Sequence, residues 1–214
     1  EFNGTVNAIN AAEDGQSVFA AGYFSELKKQ PAFKLASINS TDGSMYKPWE
    51  WEQSIVLARG GWQFDVQDAG NTVWAGGTEH LIAAYDKNND YARVSSAITK
   101  PGGDFQDLYK AGNIMYGACH CGGKVFDGAS SYMDAEGQSK DSTYGISQVG
   151  AWDITTGKYI PDFSPKLRGE SGDGVWESFV DSRGNLWVGG DINQSLGAKG
   201  PQKTVGFARF EAQS

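Results

Sequence analysis

Histidine and cysteine are the scarcest reactive residues here, two of each in 214. Two cysteines make at most one bridge, so no disulfide framework organises this chain. A Ser-His-Asp arrangement would have only His80 or His120 to draw on, and no serine is marked as a partner. Met does not begin the chain, and Glu1-Phe2 reads as a processed start or a cloning remnant. No run approaches the ~18 consecutive apolar residues of a membrane-spanning helix. There is no phosphate-binding loop, no Rossmann glycine fingerprint, no Gly-x-Ser-x-Gly elbow and no His-Glu-x-x-His. Asp86-Lys-Asn-Asn-Asp90 lacks the spacing and closing Glu of an EF-hand. Bases number 18 against 26 acids, a net charge of −8, and such a surface repels phosphate backbones. Nucleic acid is not an expected partner.

What the chain has in excess is glycine, 29 residues, beside seven Trp, nine Tyr and eleven Phe. Short strands joined by tight glycine turns and stacked on aromatics produce this mix. A disordered chain does not carry so many aromatics.

These residues repeat. Gly4-Thr-Val-Asn-Ala-Ile9 leads through Asp14-Gly15 to Val18-Phe-Ala-Ala-Gly22. Gly61-Trp-Gln-Phe-Asp-Val66 leads through Gly70-Asn71 to Val73-Trp-Ala-Gly-Gly77. Gly103-Asp-Phe-Gln-Asp-Leu108 leads through Gly112-Asn113 to Met115-Tyr-Gly-Ala-Cys119. Gly174-Val-Trp-Glu-Ser-Phe179 leads through Gly184-Asn185 to Leu186-Trp-Val-Gly-Gly190. Counting five residues from each opening glycine aligns Ile9, Val66, Leu108 and Phe179. A third strand follows in each unit, at Leu35–Ile38, Ile82–Tyr85, Gly150–Asp153 and Gly206–Phe210.

The pattern predicts an all-β fold of the β-propeller type, with four blades in one domain, approximately residues 1–52, 53–95, 96–165 and 166–214. One blade cannot bury both faces of its sheet, so neighbouring blades stack and share aromatics. A β-sandwich is the alternative, though it has no reason to repeat one pattern four times. Four blades close as one small ring or form part of a larger one, and the absent natural start favours the larger ring. Three insertions read as loops: 23–34, 122–148 and 193–204.

Val-Phe-Ala-Ala-Gly-Tyr-Phe, Leu-Trp-Val-Gly-Gly-Asp-Ile and Gly-Phe-Ala-Arg-Phe resemble the glycine-rich, delta-sixty-type propeller repeats of secreted actinobacterial surface proteins and of related phage tail proteins. The likeness covers most of the chain outside 122–148. It implies a secreted or cell-surface setting and supplies no activity.

Candidate chemistry is sparse. In Cys119-His120-Cys121 a strand would point both sulfurs one way. That suits a disulfide, two inert thiols, or a soft-metal site with His80 as a further ligand. Asp65 and Asp107 share one place in successive units, with Ala8 and Ser178 in that place elsewhere. Facing a channel, the pair suits Ca²⁺ or acid/base work; otherwise it caps turns within the blade. Trp49 and Trp51 lie on one face of an extended segment and suit a sugar or a protein, or pack between blades. No cofactor other than Ca²⁺ is suggested.

The reading is a binding or adhesion module rather than an enzyme, recognising a glycan or protein through its loops. Phe126, Tyr132 and Tyr144 of the 122–148 loop are the leading contacts, so deleting that loop should spare folding. The competing readings are a channel-sited glycosidase- or oxidase-like enzyme using Asp65 and Asp107, and a half-propeller completed by blades of its precursor or of another chain.

Overall fold

The computed structural model describes residues 1–49, 61–169, 174–197 and 200–211. It is all-β, with one five-residue helix and one short 3₁₀ turn among the described residues. Among these residues, no helix is long and apolar enough to cross a membrane.

Glycine sets the hairpins. The turns of the four units place Gly15, Gly70, Gly112 and Gly184 at φ of 70°, 77°, 57° and 82°, the left-handed region that glycine enters without strain. Around them run β1 (Thr5–Ala11) and β2 (Ser17–Tyr23), the first hairpin. β3 (Glu26–Leu27) and β4 (Gln30–Pro31) form a small side hairpin, and β5 (Leu35–Asn39) and β6 (Met45–Lys47) complete the sheet β1-β2-β5-β6.

The second unit holds β7 (Gln63–Ala69), β8 (Thr72–Gly77), β9 (Leu81–Asp86) and β10 (Ala92–Lys100). The third holds β11 (Phe105–Ala111), β12 (Ile114–Asp127), α1 (Tyr132–Glu136) and β13 (Thr143–Asp153). The fourth holds β14 (Leu167–Arg168), β15 (Val175–Val180), β16 (Asn185–Gly190), β17 (Gln194–Gly197), β18 (Gly200–Lys203) and β19 (Phe207–Glu211). Its sheet is β15-β16-β19, and β14-β17-β18 form a separate small sheet.

Every first strand carries one β-bulge, and the bulge supplies the true register. It falls between Val6 and Ala8, Gln63 and Asp65, Phe105 and Asp107, and Val175 and Glu177. Beyond it, Ile9 pairs with Ala20, Val66 with Ala75, Leu108 with Gly117 and Ser178 with Val188. Ser178, not Phe179, therefore matches Ile9, Val66 and Leu108. Glu177, not Ser178, takes the place of Ala8, Asp65 and Asp107. Gly174 sits one place later than the other opening glycines, so counting from it displaces the fourth unit by one residue.

The second and third units are not separate sheets. β12 continues past its hairpin, and Ala97–Lys100 of β10 pair with Lys124–Asp127. The result is one seven-stranded sheet whose edge strands β7 and β11 pack on each other, so that it nearly closes. The boundary expected between residues 95 and 96 falls inside β10. The segments read as loops also hold backbone pairs: β3–β4 within 23–34, β17–β18 within 193–204, and, within 122–148, Gly122–Phe126 of β12 with Thr143–Ser147 of β13. Exposed backbone that long finds partners of its own.

The first strands pack in chain order, β1 on β7, β7 on β11 and β11 on β15. Three cores lie between successive units. Phe19 is buried among Val66, Val73 and Ala75; Trp74 among Leu108, Met115 and Trp152; Tyr116 among Val175, Leu186 and Val188. The side hairpin covers the opposite face of the first sheet, where Phe24, Leu27 and Ala32 bury Ala20 and Ala36.

Candidate interaction surface

In each unit the second residue quoted for the second strand is aromatic: Phe19, Trp74, Tyr116 and Trp187. Alternation along a strand turns this side chain toward the following unit. Phe19, Trp74 and Tyr116 are 0%, 1% and 0% exposed. Trp187 is half-buried, with Leu186 and Val188 turned back into the core against the third unit. Nothing among the described residues covers its outer face as a following sheet would.

Trp187 is the centre of a row. It pairs across the ladder with Phe179 and with Arg209, and Phe207 lies diagonally beyond. Ring centroids of Phe179 and Trp187 are 6.3 Å apart with planes 6° from parallel; those of Trp187 and Phe207 are 6.2 Å apart at 29°. Phe179 is 49% exposed and Phe207 59%. The Arg209 guanidinium lies 6.0 Å from the Trp187 ring, and Glu177 and Glu211 stand exposed beside the row. The indole Nε1–H of Trp187 donates to Asp181 Oδ2 at 2.8 Å. That bond, with those from Asn185, holds the Asp181 carboxyl well below the usual carboxylate range. Three aromatic rings, two of them about half exposed or more, thus lie side by side on one face of this sheet.

The acids of the first strands serve the joints between units. Asp65 accepts from its own neighbour Val66 N–H and, at 2.7 Å, from Leu108 N–H of the next unit. Asp107 accepts from Ser178 N–H at 2.8 Å and from the Ser178 hydroxyl. Leu108 and Ser178 are matching positions, so one staple is used twice. Burial drives the Asp65 carboxyl up to about 7. Burial first, then the charge of Asp65, takes Asp107 to about 8, and Glu177 pushes on both. The charge of Asp65 is felt at Asp107, and each carboxylate accepts a backbone N–H of the following unit, Asp65 also accepting that of Val66 in its own.

The other residues singled out in the sequence are occupied by packing. Trp49 is buried, stacked on Tyr91 at 4.5 Å and edge-on to Tyr85 and Phe19. Trp51 lies outside the described residues. Phe126 is half-buried beside Ile98, Ala129 and Ala135. Tyr132 and His80 Nδ1 are hydrogen-bonded at 2.6 Å. Tyr144 stacks on Tyr159 at 5.5 Å and donates to Asp141 C=O. Val125 and Ile146 of the same insertion belong to the main core, so removing 122–148 whole would open it.

Cys119 and Cys121 form a disulfide with Cα atoms 5.1 Å apart. It spans a bulge where β12 loses register with β13 between Ala118 and Gly122. Gly103, at φ 116°, lies against Cys121, where a side chain would collide. His80 lies 3.3 Å from Asp104, not on sulfur. Among the described residues no three His, Cys, Asp or Glu side chains gather as a metal set.

No family model and no curated protein matches this chain. Among solved structures it is similar to the computationally designed Ika4 protein, at 10% identity and a TM-score of 0.57, over 100% of this chain and 94% of that one. The likeness is one of fold alone.

Proposed function

We propose that this chain is a non-enzymatic binding module whose four units are β-propeller-type blades, stacked as an open array, and that it takes a protein on the aromatic strip of the fourth sheet. One observation carries the reading: Trp187 is left open where Phe19, Trp74 and Tyr116 are each buried by a following sheet. The repeated bulge and the repeated acid staple support blade-like stacking. The Cys119–Cys121 bridge supports an oxidising, extracellular setting. Asp65 and Asp107, tied to backbone N–H groups, leave a channel enzyme without a free acid/base pair. The contact surface moves from the loops to a sheet face, because Phe126, Tyr132 and Tyr144 are engaged internally.

The test uses bis-ANS as a probe of the strip. On an Arg209→Glu background, where charge reversal keeps a second copy off the strip, the chain should enhance its fluorescence strongly, and adding Trp187→Ser and Phe207→Ser should remove at least four-fifths of that signal while the protein remains folded by circular dichroism. An unchanged signal would sink the reading. Soluble cellohexaose and chitohexaose should leave the tryptophan fluorescence unaltered; saturable quenching by either would transfer the strip to glycan recognition.

A further inference from the structure

The two ends of the array differ. At the first sheet, the β3–β4 hairpin and Phe24 lie over Ala20 and Ala36, where a preceding sheet would lie. That is how repeat arrays terminate, with a cap over the outer face. At the fourth sheet there is no cap among the described residues. A head-to-tail union would have to displace the hairpin. A union of two open faces displaces nothing.

We infer that the partner on the aromatic strip is a second copy of this chain, packed face to face through β15-β16-β19 about a two-fold axis running along β16. This rests on the binding reading above and names its occupant. The sheet order β15-β16-β19 fixes what meets what. An axis along the central strand lays Trp187 against the partner's Trp187 and sets β15 of one copy over β19 of the other. Phe179 and Arg209 share a row of the ladder through Trp187, so Arg209 comes over the Phe179 ring of the other copy. Glu177 shares a row with Phe207, two residues from Arg209, so each Glu177 stands diagonal to the opposing Arg209. The face is thus complementary to itself in charge, as an isologous contact requires. Aromatic and arginine side chains at the centre are the residue types that dominate such contacts.

Sedimentation velocity of the full chain, with charge reversals, tests this. Wild type should sediment at twice its chain mass of 23.0 kDa at micromolar concentration. Glu177→Arg and Arg209→Glu should each weaken association at least tenfold, and the two together should restore it to within about threefold. Both side chains are exposed, so these variants keep their fold. Ile9→Asp, on the first sheet and 68% exposed, should change nothing. A monomer at all concentrations, a double reversal that fails to recover, or dissociation by Ile9→Asp would each overturn the two-fold pairing. A monomeric chain that still binds bis-ANS through Trp187 would leave the strip in place and assign it to a different protein.

Discussion

The protein should melt at a higher temperature at pH 5 than at pH 8, the reverse of what buried, ion-paired carboxylates produce. Burial holds the carboxyls of Asp65 at about 7, Asp107 at about 8 and Glu79 at about 7, all above their unfolded values near 4. Below about pH 4 these groups are protonated in both states and contribute nothing to the slope. Between pH 4 and 8 the folded chain retains protons that the unfolded chain has released, so stability falls as pH rises. Above about pH 8 the loss is complete. Each retained proton weakens the fold by about 1.4 kcal/mol per pH unit, so the combined effect reaches several kcal/mol between pH 5 and 8, or roughly 10 °C or more in Tm for a chain of this size. Asp181, Glu13, Asp42, Asp134 and Glu136 are held below their usual range and act oppositely, their contribution fading as pH drops through 4. The optimum therefore lies near pH 5.

Asp107→Asn isolates one source of this slope. One Asp107 oxygen accepts both the Ser178 N–H and the Ser178 hydroxyl, and an amide oxygen does the same without a charge. The variant should gain stability at pH 8 and flatten the pH dependence. Asp107→Ala should lose about 1–3 kcal/mol at every pH, because it strands the buried Ser178 N–H. A wild-type Tm that rises from pH 5 to pH 8, or an Asn variant with the wild-type slope, would refute the account.

Much of the array was legible in the residues, for identifiable reasons. Asp14-Gly15, Gly70-Asn71, Gly112-Asn113 and Gly184-Asn185 announce hairpins because few other residues accept that backbone. The register of the fourth unit was not legible from its glycine, since Gly174 is required for another reason: a side chain there would run into His120. The bulge, which has no residue signature here, carries the register instead. Lys124-Val-Phe-Asp127 alternates as a strand should, yet the Ser, Gly and Asp around it read as loop and hid the pairing with β10. Trp49 takes the packed one of its two expected places, and the sequence could not decide between them because its cover, Tyr85 and Tyr91, lies far along the chain. The strip itself had one available signal, the aromatic at the same place in all four units. Its meaning depends on a following sheet to bury it, and the fourth copy has none among the described residues.

Trp74→Ala and Trp187→Ala should therefore behave as different mutations although they change the same residue at the same place in the repeat. Trp74 lies 1% exposed between two units, against Leu108, Met115 and Trp152. Removing its indole leaves a cavity that neighbouring sheets, joined by hydrogen bonds on either side, cannot close. The cost should be about 3–5 kcal/mol, a fall of roughly 10 °C or more in Tm. Trp187 has core on one side only, through its own strand neighbours, and its one polar bond goes to the exposed Asp181 turn. Its loss should cost the isolated chain about 1 kcal/mol or less. The comparison belongs in the Arg209→Glu background, where association does not add to the measured stability of the parent. Equal losses at the two positions would mean that Trp187 is held as tightly as its counterparts, and the fourth sheet would then present no open face.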